Sequence, residues 1–285
     1  VKGSAMKIGY STWGMPTVPA DTFIPFLARL GYAGIEITVI PSYSTELSRL
    51  DAAERVRIAR MLKDHNLELP AIAAHSVLIE RDAERAAEQW ARLTGAVDLA
   101  LDWAQDSGPP AVDTTVGGTP EQWQELKPLM LERLGALVDY AEQRGVVIAI
   151  EPHVGSMLDT PGRVLELLGA LDSPFLKLNF DISHFNVMGV PIAESVAALA
   201  PYAVHTHVKD ERGLAPNHEF LIPGEGEFDY VAYLQAMREH GYDGFITAEV
   251  SVMVQRRPNY DPLAAAEQTY RTLARAFEQA GIRAE

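Results

Sequence analysis

The sequence contains no cysteine, which removes disulfides and thiolate metal sites from consideration. No apolar run approaches the roughly 18 residues that a membrane helix needs. Basic residues are few: 24 Lys and Arg face 39 Asp and Glu, for a formal net charge of -15 and a pI near 5.0. That balance argues against a protein that works on phosphate backbones. An apolar leader is also missing. Val1-Lys-Gly-Ser-Ala5 precedes Met6, which reads as a native start behind a five-residue cloning scar. These absences predict a cytoplasmic protein with no membrane or nucleic-acid partner. A possible homo-oligomer is compatible with them and is not specified by them.

What is present fits a sizeable core. The chain has 285 residues, 47% hydrophobic and 22% charged, ordinary values for a globular protein. Strand-like runs occupy 6–11, 34–38, 69–75, 111–116, 146–151, 176–181, 203–208 and 244–250. Helical patterns fill the intervals: 19–30, 50–66, 82–107, 119–144, 160–171, 193–200, 229–240 and 262–280. In the second helix Val56, Ile58, Ala59 and Leu62 are expected to face inward, and the fourth is expected to break near Lys127-Pro128. Thr119-Pro has helix-start chemistry, and Gly145 sits where a helix-terminating glycine belongs. Strands alternating with helices imply a parallel sheet. Eight such units in one domain, 6–285, predict an α/β (β/α)8 TIM barrel. No G-x-G-x-x-G follows a strand to support a doubly wound sheet.

Four of the later runs end on a carboxylate or an imidazole: Glu151, Asp181, His207 and Glu249. In a barrel, active residues lie at the C-terminal ends of the strands. A carboxylate ending a buried strand is costly unless it is paired or binds a cation. Taken singly, each has a plain alternative as a helix cap or an ion-pair partner. Agreement among four strands points to one metal-centred site. Oxygen and imidazole donors without sulfur suit one divalent metal ion: Mn, Mg, Co or Zn. Such an ion chelates a carbonyl and a neighbouring hydroxyl, and it stabilises the charge that appears on removing the proton α to the carbonyl. His205 shares a strand face with His207 and is equally readable as a core histidine. Glu36 lies inside the second strand, facing either the ligand or a basic neighbour. His75 follows the third run, and Trp13 follows the first as a candidate pocket wall.

The series Gly31-Tyr-x-Gly-Ile-Glu36, Glu151-Pro-His153, Asp181-x-x-His184, His205-x-His207-Val-Lys-Asp210, Gly224-Glu-Gly226 and Glu249 resembles the xylose isomerase-like TIM-barrel superfamily, the sugar phosphate isomerase/epimerase group. The resemblance covers nearly the whole chain. It implies that Glu151, Asp181, His207 and Glu249 are metal ligands and that Glu151 and Glu249 are also the paired catalytic acid and base. It implies substrate contacts from His184 and, by a loose match, Arg212. His75, Glu36, His153, Lys209 and Trp13 complete the expected substrate-binding set. The endonuclease IV branch requires more histidines. The fourth strand supplies none, and His218 lacks the nearby Asp expected there.

The expected activity is therefore a divalent-metal sugar epimerase or aldose–ketose isomerase acting by proton abstraction α to a carbonyl, through an enediolate. Its expected partner is a small-molecule sugar or polyol ketone. An inosose-type dehydratase with the same chemistry is the alternative. A non-catalytic metal- and sugar-binding barrel is a third reading.

Overall fold

The computed structural model describes residues 6–284. The five residues read as a cloning scar lie outside them. Eight parallel strands close a barrel: β1 (Lys7–Ser11), β2 (Gly34–Thr38), β3 (Ala71–Ala73), β4 (Ala111–Thr114), β5 (Ile148–Ile150), β6 (Leu176–Asp181), β7 (Ala203–Val208) and, beyond a hairpin, β10 (Phe245–Ala248). The closing pair is β1 with β10, in register Ile8 to Ile246 and Tyr10 to Ala248. The hairpin is β8 (Asp210–Arg212) with β9 (Glu219–Leu221), antiparallel and outside the barrel. Helices α1 (Ala20–Leu30), α2 (Ala52–Asp64), α3 (Ala83–Asp102), α4 (Trp123–Glu142), α5 (Pro161–Leu171), α6 (Ile182–Asn186), α7 (Ile192–Leu199), α8 (Tyr230–Glu239), α9 (Val252–Gln255) and α10 (Pro262–Gln279) complete the order.

Alternation along the strands sets two environments. Ile35, Ile37, Val112, Ile148, Ile150, Leu178, Phe180, Val208 and Ile246 belong to the continuous apolar core with the helices. Residues of the opposite parity include Glu36, Asp113, Glu151, Asn179, Asp181, His205, His207 and Glu249, all buried. The pleat therefore collects the polar side chains inside the barrel, towards the C-terminal strand ends. Cross-strand register pairs Ser11 with Glu36, Asn179 with His205, and Asp181 with His207.

Three expectations need correction. Val56 is 70% exposed, and α2 buries Ile58 and Leu62 instead, so the inward stripe starts later. Pro128 does not break its helix, because α4 runs through it from Trp123 to Glu142. The lost bond is to the carbonyl four residues earlier, on Gln124, which is exposed and open to water. The hairpin and the short helices α6 and α9 were not anticipated; all are too short to carry a periodic signal.

One buried carboxylate holds the loop after the hairpin. Asp210 Oδ2 accepts from the backbone N–H of Gly224 at 2.7 Å and of Gly226 at 3.0 Å, while Oδ1 accepts from Phe228 at 3.1 Å. A Cβ on Gly226 would collide with Asp210 and lie 2.6 Å from the Glu211 carbonyl oxygen, which explains the Gly-Glu-Gly pattern. Next to it, burial pushes the Glu211 carboxyl up to about 8, against the opposing hydrogen bond from Asn186. That bond spans 2.8 Å and reaches only one carboxyl oxygen; the other has no partner.

Asp210→Ala strips three loop amides of their acceptor and is expected to lower the unfolding free energy by about 2–4 kcal/mol in chemical denaturation. A loss below about 0.5 kcal/mol, the range of ordinary surface changes, would contradict this anchoring role. The folded state holds the Glu211 proton to about pH 8, whereas the unfolded chain releases it in the ordinary carboxylate range. Stability is therefore expected to fall as pH rises between those limits. Glu211→Gln should flatten that part of the melting-temperature profile, and an unchanged slope would refute the assignment.

Candidate metal centre

Glu151 is the first residue beyond β5 and Glu249 the first beyond β10; Asp181 ends β6 and His207 lies within β7. Each of the four offers a ligand atom, and these atoms lie within 4.8 Å of one another. Two donors bound to one ion at about 2.1 Å stand about 3–4 Å apart. The cluster is therefore close to the size of a single coordination sphere.

His207 is its centre. Its Nδ1 lies 3.1 Å from Glu151 Oε1 and 2.9 Å from Glu249 Oε2. Its Nε2 lies 3.0 Å from Glu36 Oε2. Burial works against a charge on this ring, but Glu36 and Glu151 hold its pKa well above the usual histidine range. Lys209 makes a short ion pair with Asp181 Oδ2 and lies 3.4 Å from Glu249 Oε1. Burial opposes its charge too; Asp181 and then Glu249 raise its pKa nonetheless. Conversely, Glu151 and Asp181 are held below the carboxylate range despite burial, Glu151 by His153 and His207, Asp181 by Lys209 and His184. Glu151 and Asp181 thus favour the ionised form, and His207 and Lys209 the protonated one.

The donor set fits a divalent ion. Glu151 Oε2 lies 3.0 Å from His75 Nε2 and 2.9 Å from His153 Nε2, yet it is buried and accepts an aligned hydrogen bond from neither. Three carboxylates and one imidazole match the hard-ion preference, and the unpaired oxygen leaves Glu151 free to act beyond a ligand position. Asp181 also has the plain role of a helix cap, since its Oδ1 accepts from Ser183 N–H at 2.9 Å.

Around this cluster the structure gathers most of the expected substrate-binding residues. His75 bridges Glu151 and Asp113, with Nε2 2.8 Å from Asp113 Oδ2. Burial opposes a charge on His75, and Asp113 more than compensates, raising its pKa well above the usual range. Burial lifts the Asp113 carboxyl to about 7, in spite of the opposing His75. Trp13 packs against His75 in a tilted arrangement with ring centroids 4.7 Å apart, and His153 stacks on His184 at 4.0 Å. Burial and His153 together lower the His184 pKa, and neither of its ring nitrogens has a partner. Phe220, from the hairpin, stands edge-on to His184 at 5.2 Å.

Two expected contacts are placed elsewhere. Arg212 sits on the hairpin with its side chain 54% exposed; it lies 3.9 Å from Glu219 and donates to the Glu225 carbonyl. Exposure and these partners keep it out of the buried cluster. Glu36 is fully enclosed behind His207, so it is not part of the pocket wall. Asp113, Asn179, Ser11 and Phe220 were not singled out from sequence. Asp113 and Asn179 did carry a signal: each is a polar residue of inward parity within an apolar run.

A family profile described as a xylose isomerase-like TIM barrel matches residues 24–280. An uncharacterized protein of Methanocaldococcus jannaschii is 32% identical over 142 residues, 47% of this chain; the chain spans about half of that relative, 48%. A 3-dehydroshikimate dehydratase of Bacillus anthracis is 23% identical, over 82% of this chain and 90% of its own. A fructoselysine 3-epimerase of Escherichia coli O157:H7 is 24% identical, over 89% and 93%. Among solved structures, the IOLI protein with a bound zinc atom superposes with TM-score 0.76 at 21% identity, over 96% of this chain and 98% of that one. A xylose isomerase-like TIM barrel protein of Mycobacterium smegmatis in complex with magnesium gives 0.69 at 20%, over 96% and 97%. The profile match over most of the chain, on a closed eight-stranded parallel barrel, establishes that this chain belongs to the xylose isomerase-like TIM barrel family.

Proposed function

We propose that the chain is a divalent-metal sugar epimerase or isomerase that moves a proton α to a carbonyl, with Glu151 and Glu249 as the acid/base pair. One observation carries this reading. Both carboxylates turn one oxygen towards His207 Nδ1 and keep the second away from it. They come from β5 and β10, which have β6 and β7 between them in the barrel. Two bases on different arcs of the wall can address two faces of one substrate carbon.

Glu151, Asp181, His207 and Glu249 would hold the ion, which when bound supplies Lewis acidity towards a carbonyl and its neighbouring hydroxyl. Bound zinc and magnesium in structural relatives are consistent with such an ion here. His153 and His75 stand beside the Glu151 oxygen that lies outside the ligand position, and Lys209 beside that of Glu249. His184, buried and unpartnered, is free to hydrogen-bond a substrate hydroxyl. Trp13 and Phe220 close the sides and exclude water. Proton removal by one carboxylate and return by the other inverts a centre; return to the adjacent carbon interconverts aldose and ketose. Lys209 is the one lysine or arginine paired with these carboxylates among the described residues, and its commitment to Asp181 favours a neutral sugar or polyol ketone.

A second reading has support from the B. anthracis relative, a dehydratase that matches over 90% of its length. In that case the same proton removal is followed by loss of a β-hydroxyl, and a product lighter by one water identifies it.

Glu151→Gln and Glu249→Gln are each expected to lower kcat about 1000-fold while the far-UV circular dichroism stays that of the wild type. In deuterated solvent, deuterium should enter at the carbon α to the carbonyl; turnover without exchange would exclude this proton-transfer route. Chelator dialysis is expected to abolish turnover, and Mn²⁺, Mg²⁺, Co²⁺ or Zn²⁺ to restore it. Full activity at undetectable metal content would refute the metal centre.

A further inference from the structure

Glu36 has no role in the chemistry described above, yet it is fully buried and makes three polar contacts. Its Oε1 accepts from Ser11 Oγ at 2.5 Å. Its Oε2 stands 3.1 Å from His205 Nε2 and 3.0 Å from His207 Nε2. Ser11 is the cross-strand neighbour of Glu36, and His205 is two residues before His207 on the same face of β7. All four groups are held by strand backbone. With Oε1 taken by the Ser11 hydroxyl, Oε2 stands at hydrogen-bond distance from His207 Nε2, so a proton on that nitrogen completes a bond to the carboxylate.

We propose that Glu36 is a positioning residue for the metal centre: it holds the Nε2–H of His207 and so commits that ring to offer Nδ1 to the ion. This rests on the reading that Glu151, Asp181, His207 and Glu249 form the ligand set. The choice is a real one, because donors stand on both sides of the ring. Glu36, His205 and His207 also bring three ligand atoms within 4.8 Å of one another. On that side, however, both Glu36 oxygens are already engaged, Oε1 by the Ser11 hydroxyl and Oε2 by the His207 ring. On the Nδ1 side stand Glu151 Oε1 and Glu249 Oε2, with Asp181 in the same cluster of ligand atoms. A carboxylate behind a ligand histidine fixes its tautomer and raises its basicity, and losing such a partner typically weakens metal binding about 10–100-fold. His205 and Ser11 set the rotation of the Glu36 carboxylate. They make this inner layer of the barrel, below the mouth, a support for the ligand rather than a second site.

The test is the ring itself. Long-range ¹H–¹⁵N correlation on ¹⁵N-histidine-labelled, Zn²⁺-loaded protein, with His207 identified by loss of its signals in His207→Gln, should show the proton on Nε2 and the metal on Nδ1. The reverse assignment overturns the proposal without any variant being needed. Calorimetric titration of metal-free protein with Zn²⁺ should then show affinity falling about 10-fold in Glu36→Gln, whose amide oxygen is a weaker acceptor, and up to about 100-fold in Glu36→Ala. Unchanged affinity in both folded variants also overturns it. If Glu36→Ala does not fold, Glu36→Gln and the wild-type ring assignment decide. A wild type that binds no Zn²⁺ would instead sink the metal-centred function.

Discussion

Carboxylates removed from water with too few cations to answer them are the constraint on which this structure depends. Glu36, Asp113, Glu151, Asp181 and Glu249 are all buried around a single lysine, Lys209. Isolated charges in such a place would cost many kcal/mol. The protein meets the cost with imidazole and ammonium partners: His75 against Asp113, the two ring nitrogens of His207 against Glu36 and Glu151, and Lys209 against Asp181. Even so, an oxygen of Glu151 is left without a hydrogen bond. A divalent ion in this cluster would add positive charge among these carboxylates.

The architecture around the cluster follows from that need. Strands bring the ligands to one level, because the pleat turns alternate residues inward and the parallel register aligns their ends. Imidazoles of His75, His153 and His184 surround the acidic oxygens. The hairpin supplies Phe220 as an apolar edge beside His184. Asp210, next to Lys209 in sequence, spends its own carboxylate on loop amides and so stays out of the cluster. Neighbouring acids in one motif thus have separate work: one anchors the loop, and the others hold charge at the mouth.

Epimerases and dehydratases both occur among the relatives. Proton removal beside a carbonyl requires a base and a way to carry the resulting charge. In the proposed function both fall to strand-end residues. On that proposal, what happens to the carbanion next depends on the substrate's substituents and on the walls that would hold it, Trp13, His184 and Phe220. Those walls come from loops and a hairpin, which vary more freely than the strands.

Sequence alone determined the barrel and the level of its site. Eight alternating runs specify a parallel βα repeat because side-chain period follows backbone geometry. Polar residues ending four of those runs mark the mouth. Local pattern could not assign Val56, which has an apolar side chain on the wrong turn of its helix, or the hairpin, which is too short to show a period. Partnerships across the barrel were decided only by the tertiary structure. Glu36 and His207 are far apart along the chain, and nothing local states that they meet at 3.0 Å. The same holds for Arg212, whose basic charge suited a substrate contact until its exposure and its partners were seen to keep it out of the buried cluster. Type and period are written along the chain, whereas contact between strands depends on closure of the barrel. Closure is what turned a series of costly polar strand ends into one cluster.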